Sequence, residues 1–212
     1  NDPFIVRYVN YMLGLCQGDL GTSYKTRDPV GEEVWARLPN TAMLALTSTV
    51  VAILLALPLG IIAAIKQNTL FDGISMFISL LGISMPVFWM GLLLILFFSV
   101  KLGWFPVSGA DQGIKSLVLP SIALGFMHMA SIARTTRSSM LETIRQDYIR
   151  TVRAKGLPEK EVITRHALRN ALIPTTTVIG LQIGGMLGGS VLTESVFAWP
   201  GIGRYMIQSI QG

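Results

Sequence analysis

The chain has 212 residues, of which 51% are hydrophobic and only 14% are charged. Soluble proteins carry roughly one quarter charged residues, so this composition, with a mean hydropathy of +0.55, argues against a soluble enzyme. The single cysteine, Cys16, excludes an intrachain disulfide framework and a Cys-based zinc site. Length is therefore best counted in membrane spans, and about 20 to 25 residues per crossing predict four or five transmembrane helices.

Four uncharged runs follow the segment 1–40 and predict an all-α, polytopic transmembrane helix bundle. The second run is interrupted by Pro86, so it is either one long kinked helix or a surface segment that leads into a helix; we expect one crossing. These predictions place a transmembrane domain at 41–193, followed by an outer turn at 194–212. The runs cover residues 41–65, 73–100, 116–133 and 170–193.

Orientation follows from the basic residues, because cytoplasmic loops carry an excess of Lys and Arg. The segment 134–169 holds nine of the 17 Lys and Arg residues. This segment and 66–72 are therefore predicted to be cytoplasmic, whereas 1–40, 101–115 and 194–212 are predicted to lie outside. An outer segment 1–40 without a span of its own, and a short tail after the last run, lead us to expect a further helix at each end of the intact protein.

The middle of segment 134–169 has the pattern of two helices separated by a break. Apolar residues recur at helical spacing along 140–155, Gly156 ends this helix, and Pro158 followed by Glu159 opens the next. One interpretation is a solvated loop whose charges only set the topology. The other is a docking element, in which two short amphipathic helices present a shaped surface to a cytoplasmic partner protein.

Two stretches, one within this segment and one that runs from its end into the fourth run, resemble the EAA loop of bacterial ABC importer permeases, and within these the dipeptide and oligopeptide branch. They are YIRTVRAKGLP at 148–158 and RHALRNALIP at 165–174. Gly156 matches the glycine of that loop. The triplet at 150–152 stands where the wider family has Glu-Ala-Ala, a departure that the peptide branch commonly shows.

Further stretches outside the basic segment resemble the same branch, so the resemblance covers essentially the whole chain. It implies about six spans in the intact protein and identifies this chain as a part that lacks the first and the last. The stretches are GDLGTSY at 18–24, RLPNT at 37–41, WFPVSG at 104–109 and ESVFAWPGIG at 194–203.

The resemblance implies a multi-pass permease subunit in the inner membrane of a prokaryote that translocates di- or oligopeptides. Its expected partners are a second homologous permease, two cytoplasmic ATP-binding-cassette ATPases, an extracytoplasmic solute-binding protein and membrane lipid, with no nucleic acid and no cofactor. The ATPases are expected to dock on the segment 150–169. The residues expected to form this coupling surface are Arg150, Thr151, Val152, Arg153, Ala154, Lys155, Gly156, Leu157, Arg165 and His166.

Residues that line a solute pathway are expected within the uncharged runs. Ser84, Met85 and Met127 would provide an adaptable, weakly polar surface. Gln182 is costly against lipid and is expected to face the bundle interior. His128 is a candidate for a proton relay or a metal contact, and a histidine that is hydrogen-bonded within the bundle is at least as plausible.

Glycines recur every four residues in the fourth run, at Gly180, Gly184 and Gly188. Such stripes let membrane helices approach closely, so a packing role is favoured over a pore-lining role. The run GGMLGGS at 184–190 lies inside an apolar span, where it cannot cradle a phosphate.

The chain contains no GxxxxGK[ST] phosphate loop, no GxSxG and no HExxH motif, so it is not expected to be an enzyme, and ATP hydrolysis is assigned to partner subunits. The main alternative is a secondary transporter or channel without an ATPase partner. Secondary transporters usually place ionisable residues at membrane depth, whereas the four runs contain no Asp, Glu, Lys or Arg. A scaffold that only holds an ATPase would leave the outer motifs unexplained.

Overall fold

The computed structural model describes residues 3–23 and 27–211. Residues 1, 2, 24–26 and 212 lie outside the described residues; they belong to the predicted outer segments 1–40 and 194–212 and include the end of the motif at 18–24. The described residues fold into helices joined by turns, which confirms the predicted all-α class.

The helices vary in length from a single turn to more than 30 residues. Turns of π-helix extend α4 over Ile95–Lys101 and join α7 to α8 over Val162–Ala167. In chain order, the helices are α1 (Phe4–Cys16), α2 (Val30–Ile65), α3 (Leu70–Ser84), α4 (Val87–Leu94), α5 (Ile114–Ile144), α6 (Asp147–Ala154), α7 (Glu159–Glu161), α8 (Leu168–Gly189), α9 (Val191–Val196) and α10 (Ile202–Gln211).

Three helical stretches are long and apolar enough to cross a membrane, namely α2, α5 and the continuous helix Glu159–Gly188. Helices α3 and α4 meet this criterion only together, and they are bent by 104° at the break between them. Helix α1 has 13 residues and is shorter than a span. The described residues therefore contain up to four spans, in line with the four uncharged runs.

The run 73–100 is not one long helix, because the chain turns sharply at Met85 and Pro86. A proline has no N–H to donate and restricts the residue before it to extended backbone, and Met85 has φ −91° and ψ 125°. That this bent pair makes one crossing stays a prediction.

The helical boundaries around the basic segment differ from those predicted. Helix α5 continues to Ile144, so residues 134–144 are part of a span helix rather than of a connector. The helix expected over 140–155 is interrupted at Arg145 and Gln146, where Gln146 is extended with φ −70° and ψ 149°. This break redirects the chain so that Ile149, at the start of α6, is buried against the bundle instead of continuing the axis of α5 into water.

Helices α2 and α5 form the central pair of the bundle. Their main contact is a core of Leu44, Ala52, Leu124 and Met129, with neighbouring apolar side chains. In the most apolar 18-residue stretch of α5, 67% of the residues are buried. In the corresponding stretch of the helix that contains α8, only 17% are buried. The described chain thus surrounds α5 and leaves most of α8 uncovered.

The bundle has two ends that the hydrogen bonds define. At the first, which we name the basic end, the turn 66–69 lies beside the last turn of α5, since Arg145 donates to Gln67 at 3.3 Å. At the opposite end, the start of α2 lies beside the turn 197–201, where Trp199 Nε1 donates to the carbonyl of Asn40 at 3.0 Å. Each end thus brings together segments that the charge pattern assigned to one side; the side of the membrane that each end faces stays a prediction.

Candidate functional site

The connector between α5 and α8 has the form of a short helix, a glycine turn and a second helix start. Gly156 has φ +79°, a left-handed conformation that glycine adopts without strain, and it ends α6 as predicted. Pro158 then precedes α7. Across the turn, Arg153 donates to both carboxylate oxygens of Glu159, at 3.1 Å from Nε and 2.6 Å from Nη2. These two bonds raise the pKa of Arg153 above its usual value and brace the two helices against each other.

The inner side of this connector is apolar and buried. Ile149 of α6 has no exposed surface and packs with Met140 of α5, Ala64 of α2 and Val162 at the start of the last span helix. We name this group the anchor cluster. Because it contains side chains from three span helices, α6 is fastened to all of them and moves with the bundle.

The outer side of the connector carries most of the residues predicted to couple to a partner. The side chain of Arg150 makes an ion pair with Asp147 at 3.7 Å, and both side chains are largely exposed. Arg165 is exposed and pairs with Glu161 at 3.1 Å. The exposed members of the predicted set are Arg150, Thr151, Arg153, Ala154, Lys155, Gly156 and Arg165, and the half-buried members are Val152, Leu157 and His166.

Tyr148 ties the two halves of this surface together, although the sequence pattern indicated only a place in an apolar stripe. Asn170 Nδ2 donates to the Tyr148 hydroxyl at 2.7 Å, and that hydroxyl lies 3.4 Å from the carbonyl of His166. His166 thus takes part through its backbone. The connector presents a braced, basic surface on a hydrophobic base.

The residues predicted to line a pathway lie on three elements, the bend after α3, α5 and α8, and Gln182 contacts His128, the neighbour of Met127. Ser84 and Met85 lie at the bend between α3 and α4, where the Ser84 hydroxyl donates to the carbonyl of Leu80 at 3.0 Å. Met127 lies on α5 with 43% of its surface exposed. Gln182 lies on α8, half-buried. Among the described residues, no hydrogen bond links Ser84 to Gln182.

Gln182 and His128 form a contact between α8 and α5. His128 Nδ1 lies 2.7 Å from Gln182 Oε1, so the histidine is hydrogen-bonded within the bundle. Within the described ranges, no group of three His, Cys, Asp or Glu residues is close enough to hold a metal ion. Of the interpretations left open for His128, the structure supports the one in which it bonds to a neighbouring helix.

The three glycines of the four-residue stripe do not contact another helix of the described chain. A Cβ atom added at Gly180, Gly184 or Gly188 would meet nothing within 4 Å. Close approach occurs instead at glycines that the four-residue stripe did not single out: an added Cβ would lie 2.4 Å from the Phe126 carbonyl oxygen at Gly82, and 2.7 Å from the Ser48 carbonyl oxygen at Gly125.

A sequence signal for the Gly82 contact was present. Asp72, Ser75, Ser79 and Gly82 recur at spacings of three, four and three residues, which places small and polar side chains on one face of α3, and all four are buried. At the start of this face, Arg137 of α5 donates to both oxygens of Asp72, at 2.8 Å from Nε and 2.7 Å from Nη2. This bidentate pair fastens α3 to α5 near the basic end.

The turn at the opposite end is built around Glu194, whose side chain is completely buried. Its Oε1 accepts hydrogen bonds from Thr41 Oγ1 at 2.8 Å and Ser190 Oγ at 2.9 Å, and its Oε2 accepts from the backbone N–H of Arg204 at 3.0 Å. Gly201 lies against the same carboxylate, where an added Cβ would be 2.3 Å from Glu194 Cδ. The motif at 194–203 is thus a closed polar turn that joins α2, α9 and α10.

Residues 56–212 match the protein family described as "Binding-protein-dependent transport system inner membrane component". The dipeptide transport system permease protein DppB of Alkalihalophilus pseudofirmus is 47% identical, over 99% of this chain and 71% of the relative. The di/tripeptide transport system permease protein DppB of Pseudomonas aeruginosa is 46% identical, over 98% of this chain and 70% of the relative. The glutathione transport system permease protein GsiC of Escherichia coli O6:H1 is 44% identical, over 100% of this chain and 69% of the relative.

Among solved structures, the chain resembles one described as the crystal structure of an amino acid ABC transporter with histidines. The TM-score is 0.63, the sequence identity is 16%, and the match covers 85% of this chain and 79% of the other. At this identity the likeness concerns the fold alone.

Proposed function

Because the chain belongs to the family of binding-protein-dependent transport system inner membrane components, we propose that it is the transmembrane permease subunit of an ATP-driven importer of peptides. As a member of this family it is a multi-pass membrane component of a transport system, and its role is transport. The relatives named above carry dipeptides, di- and tripeptides, or glutathione, all of which are short peptides. Their identities of 44–47% support the same substrate class for this chain.

The observation that carries the proposal is the construction of the connector around α6. Its inner side is fastened to three span helices through the anchor cluster, while its outer side exposes Arg150, Arg153 and Lys155. A rigid basic surface on a hydrophobic base is suited to seat in a groove of a partner protein and to transmit that partner's movement to the helices. A loop whose charges only set topology would not need the bracing pair between Arg153 and Glu159.

We therefore assign cytoplasmic ATP-binding-cassette ATPases as the partners that dock on residues 150–169. The chain itself contains no phosphate-binding loop, so ATP hydrolysis belongs to those subunits. The remaining partners are a second homologous permease and an extracytoplasmic solute-binding protein, in a prokaryotic inner membrane with the basic end in the cytoplasm. Ser84, Met85, Met127 and Gln182 are the first candidates for contact with the passing peptide.

The alternative of a secondary transporter or channel without an ATPase does not explain why the connector presents a braced, exposed basic surface. Secondary transporters also usually place ionisable residues at membrane depth, whereas the four uncharged runs contain no Asp, Glu, Lys or Arg. No observation on the described residues favours that alternative.

The proposal is tested by reversing one charge on the docking surface. Arg150→Glu changes an exposed residue that makes only a long, exposed ion pair, so folding should be unaffected. We expect the co-purified ATPase to fall by about tenfold, which corresponds to roughly 1.4 kcal/mol of binding, and the uptake of radiolabelled dialanine to fall with it. Lys115→Glu is the matched control, because it makes the same charge change at the exposed start of α5, at the opposite end. Equal ATPase recovery from both variants would contradict the docking assignment, and absence of dialanine uptake by the unmodified assembled transporter would contradict the peptide assignment.

A further inference from the structure

One face of α5 carries mostly polar side chains, which begin at membrane depth and continue toward the basic end. Met127, Ser131, Arg134, Thr135 and Ser138 occupy positions i, i+4, i+7, i+8 and i+11, which is one side of an α-helix. All five are exposed or half-buried, in a helix that is otherwise the most enclosed of the bundle. We name this set the polar face of α5.

The depth of this face follows from two close contacts between α5 and α2. Gly125 lies against the carbonyl of Ser48, and Gly60 lies against the carbonyl of Ala133. Ser48 and Gly60 both belong to the uncharged run of α2, so the part of α5 between Gly125 and Ala133 is at the level of the hydrocarbon layer. Ser131 lies inside that interval, and Arg134 and Thr135 follow within the next turn.

Ser138 donates to Glu142 Oε1 at 3.4 Å, but the other polar groups of this face have no partner in the described chain. The hydroxyls of Ser131 and Thr135 make no hydrogen bond there, whereas the neighbouring Thr136 hydroxyl donates to the carbonyl of Ile132 at 2.8 Å. Arg134 likewise makes no ion pair, while Arg137, one turn further, is held by Asp72. An unpaired guanidinium and two free hydroxyls facing lipid would each cost free energy, because nothing in hydrocarbon replaces their bonds to water.

The lipid-facing side of the bundle has a different composition. On α2, the exposed residues of the uncharged run include Leu46, Val50 and Leu54, which repeat at i, i+4 and i+8 and are 58%, 55% and 67% exposed. That apolar row is what a helix presents to hydrocarbon. The contrast between the two faces indicates that lipid does not cover the polar face of α5.

We propose that the polar face of α5 lines the water-filled pathway through which the peptide passes, with Arg134 as the contact for a peptide carboxylate. This inference rests on the proposed peptide import. A peptide backbone has both hydrogen-bond donors and acceptors, so hydroxyls, which can donate and accept, can bond to a peptide of any sequence. An unpaired guanidinium complements the negative charge of the C-terminal carboxylate that every unmodified peptide carries. The Met127 thioether adds an adaptable apolar contact at the outer end of the same face.

Thiol accessibility tests the face directly. Cys16 is the single cysteine among these 212 residues and is replaced by Ser, and the same transporter without an introduced cysteine gives the background labelling. Ser131→Cys and Thr135→Cys are introduced singly, and Leu54→Cys serves as the lipid-facing control. The chain, assembled with its partner subunits in membrane vesicles, is treated with a membrane-impermeant sulfonated maleimide. A thiol reacts as the thiolate, which forms in water and not in hydrocarbon, so we expect the two α5 variants to react on the order of tenfold faster than the control.

A second readout is the uptake of radiolabelled dialanine before and after labelling. We expect whatever uptake Ser131→Cys retains before labelling to be lost once the maleimide adduct fills the pathway, so each labelled sample is compared with the same variant left unlabelled. Labelling as slow as that of Leu54→Cys would show that lipid or a packed helix of the second permease covers this face and would overturn the inference, as would full transport by the labelled variant. Failure of the proposed function can be told apart from failure of this inference. If the assembled wild-type transporter does not take up dialanine, the proposed peptide import fails, while the labelling rates still test whether the face contacts water.

Discussion

Thr41 Oγ1, in the first turn of the uncharged part of α2, donates a 2.8 Å hydrogen bond to Glu194 Oε1, 153 residues further along the chain. The same Thr41 oxygen accepts the backbone N–H of Ile202 at 2.9 Å. Thr41 therefore bridges a buried carboxylate and the start of α10. This contact holds the turn after α9 against the start of α2.

Glu194→Ala is expected to destabilise the protein. The substitution leaves three donors without their acceptor in a completely buried place, at an expected cost of about 1–3 kcal/mol or more, which lowers Tm by roughly 2–4 °C for each kcal/mol. Thermal unfolding of the purified, assembled protein measures the change. Ser209→Ala is the control, because the exposed Ser209 hydroxyl bonds only to the carbonyl of Tyr205 in its own helix. A Tm equal to that of the control would show that the turn does not depend on the carboxylate.

Glycine substitutions on α3 and α8 are expected to have opposite outcomes. Gly82→Ala places a Cβ 2.4 Å from the backbone oxygen of Phe126, so α3 must move away from α5, and overpacking of this kind typically costs about 1–3 kcal/mol. Gly180→Ala meets nothing within 4 Å and replaces a glycine inside a helix, so it should leave Tm unchanged or raise it. A loss of assembly in Gly180→Ala, with Tm intact, would instead identify this face of α8 as an interface with another subunit.

The pair formed by Asp72 and Arg137 is expected to show strong energetic coupling. Both side chains are mostly buried and joined by two hydrogen bonds, so a double-mutant cycle of Asp72→Ala and Arg137→Ala should give an interaction energy on the order of 1–3 kcal/mol. The exposed pair of Glu161 and Arg165, with an N–O distance of 3.1 Å, should give about 0.3–0.5 kcal/mol in the same measurement. Equal energies for the two pairs would contradict a structural role for the link between α3 and α5.

Substitutions at Gly156 test whether transport depends on the turn that the chain makes after α6. The residue has φ +79° with nothing within 4 Å, so Gly156→Val is opposed by the backbone conformation and not by a clash, at a cost of about 1–3 kcal/mol. Asn tolerates this conformation, and Gly156→Asn should keep most of the dialanine uptake that Gly156→Val loses. If both variants lose uptake equally, the glycine serves to leave space for the partner and not to turn the chain.

A substitution at Ile149 is expected to weaken the transmission of ATPase movement to the span helices without weakening ATPase docking. Ile149→Ala removes buried methyl groups from the anchor cluster, which costs roughly 2–5 kcal/mol at a fully enclosed site and loosens α6 from the span helices. We expect the ATPase to co-purify as before, because the exposed surface is intact, while uptake per ATP hydrolysed falls. Ile210→Ala, at a side chain that is 81% exposed, is the control. Loss of ATPase association together with uptake would mean that the anchor cluster shapes the docking surface itself.

Much of the helical organisation was predictable from local pattern. Each signal depends on a few neighbouring residues: the runs without charge, the concentration of Lys and Arg, and the helix-breaking residues Gly156 and Pro158. The structure has helices at the uncharged runs and a glycine turn at Gly156. Helix ends were less predictable. Helix α5 extends through Arg134 and Arg137 to Ile144, because a polar face and an ion pair with Asp72 support helix beyond the point where the uncharged run stops.

The sequence by itself determined the membrane class, the number of apolar runs and the basic segment, because hydrophobicity, charge and helix signals act over one or a few turns. Only the tertiary structure decided which glycines are contact points, that Asp72 pairs with Arg137, and that Glu194 is a buried acceptor for Thr41. These relationships depend on the rotation and register of each helix against its neighbours. A single helix has the same periodicity whichever face its neighbours cover, so no local pattern distinguishes the open glycines of α8 from the packed glycine of α3.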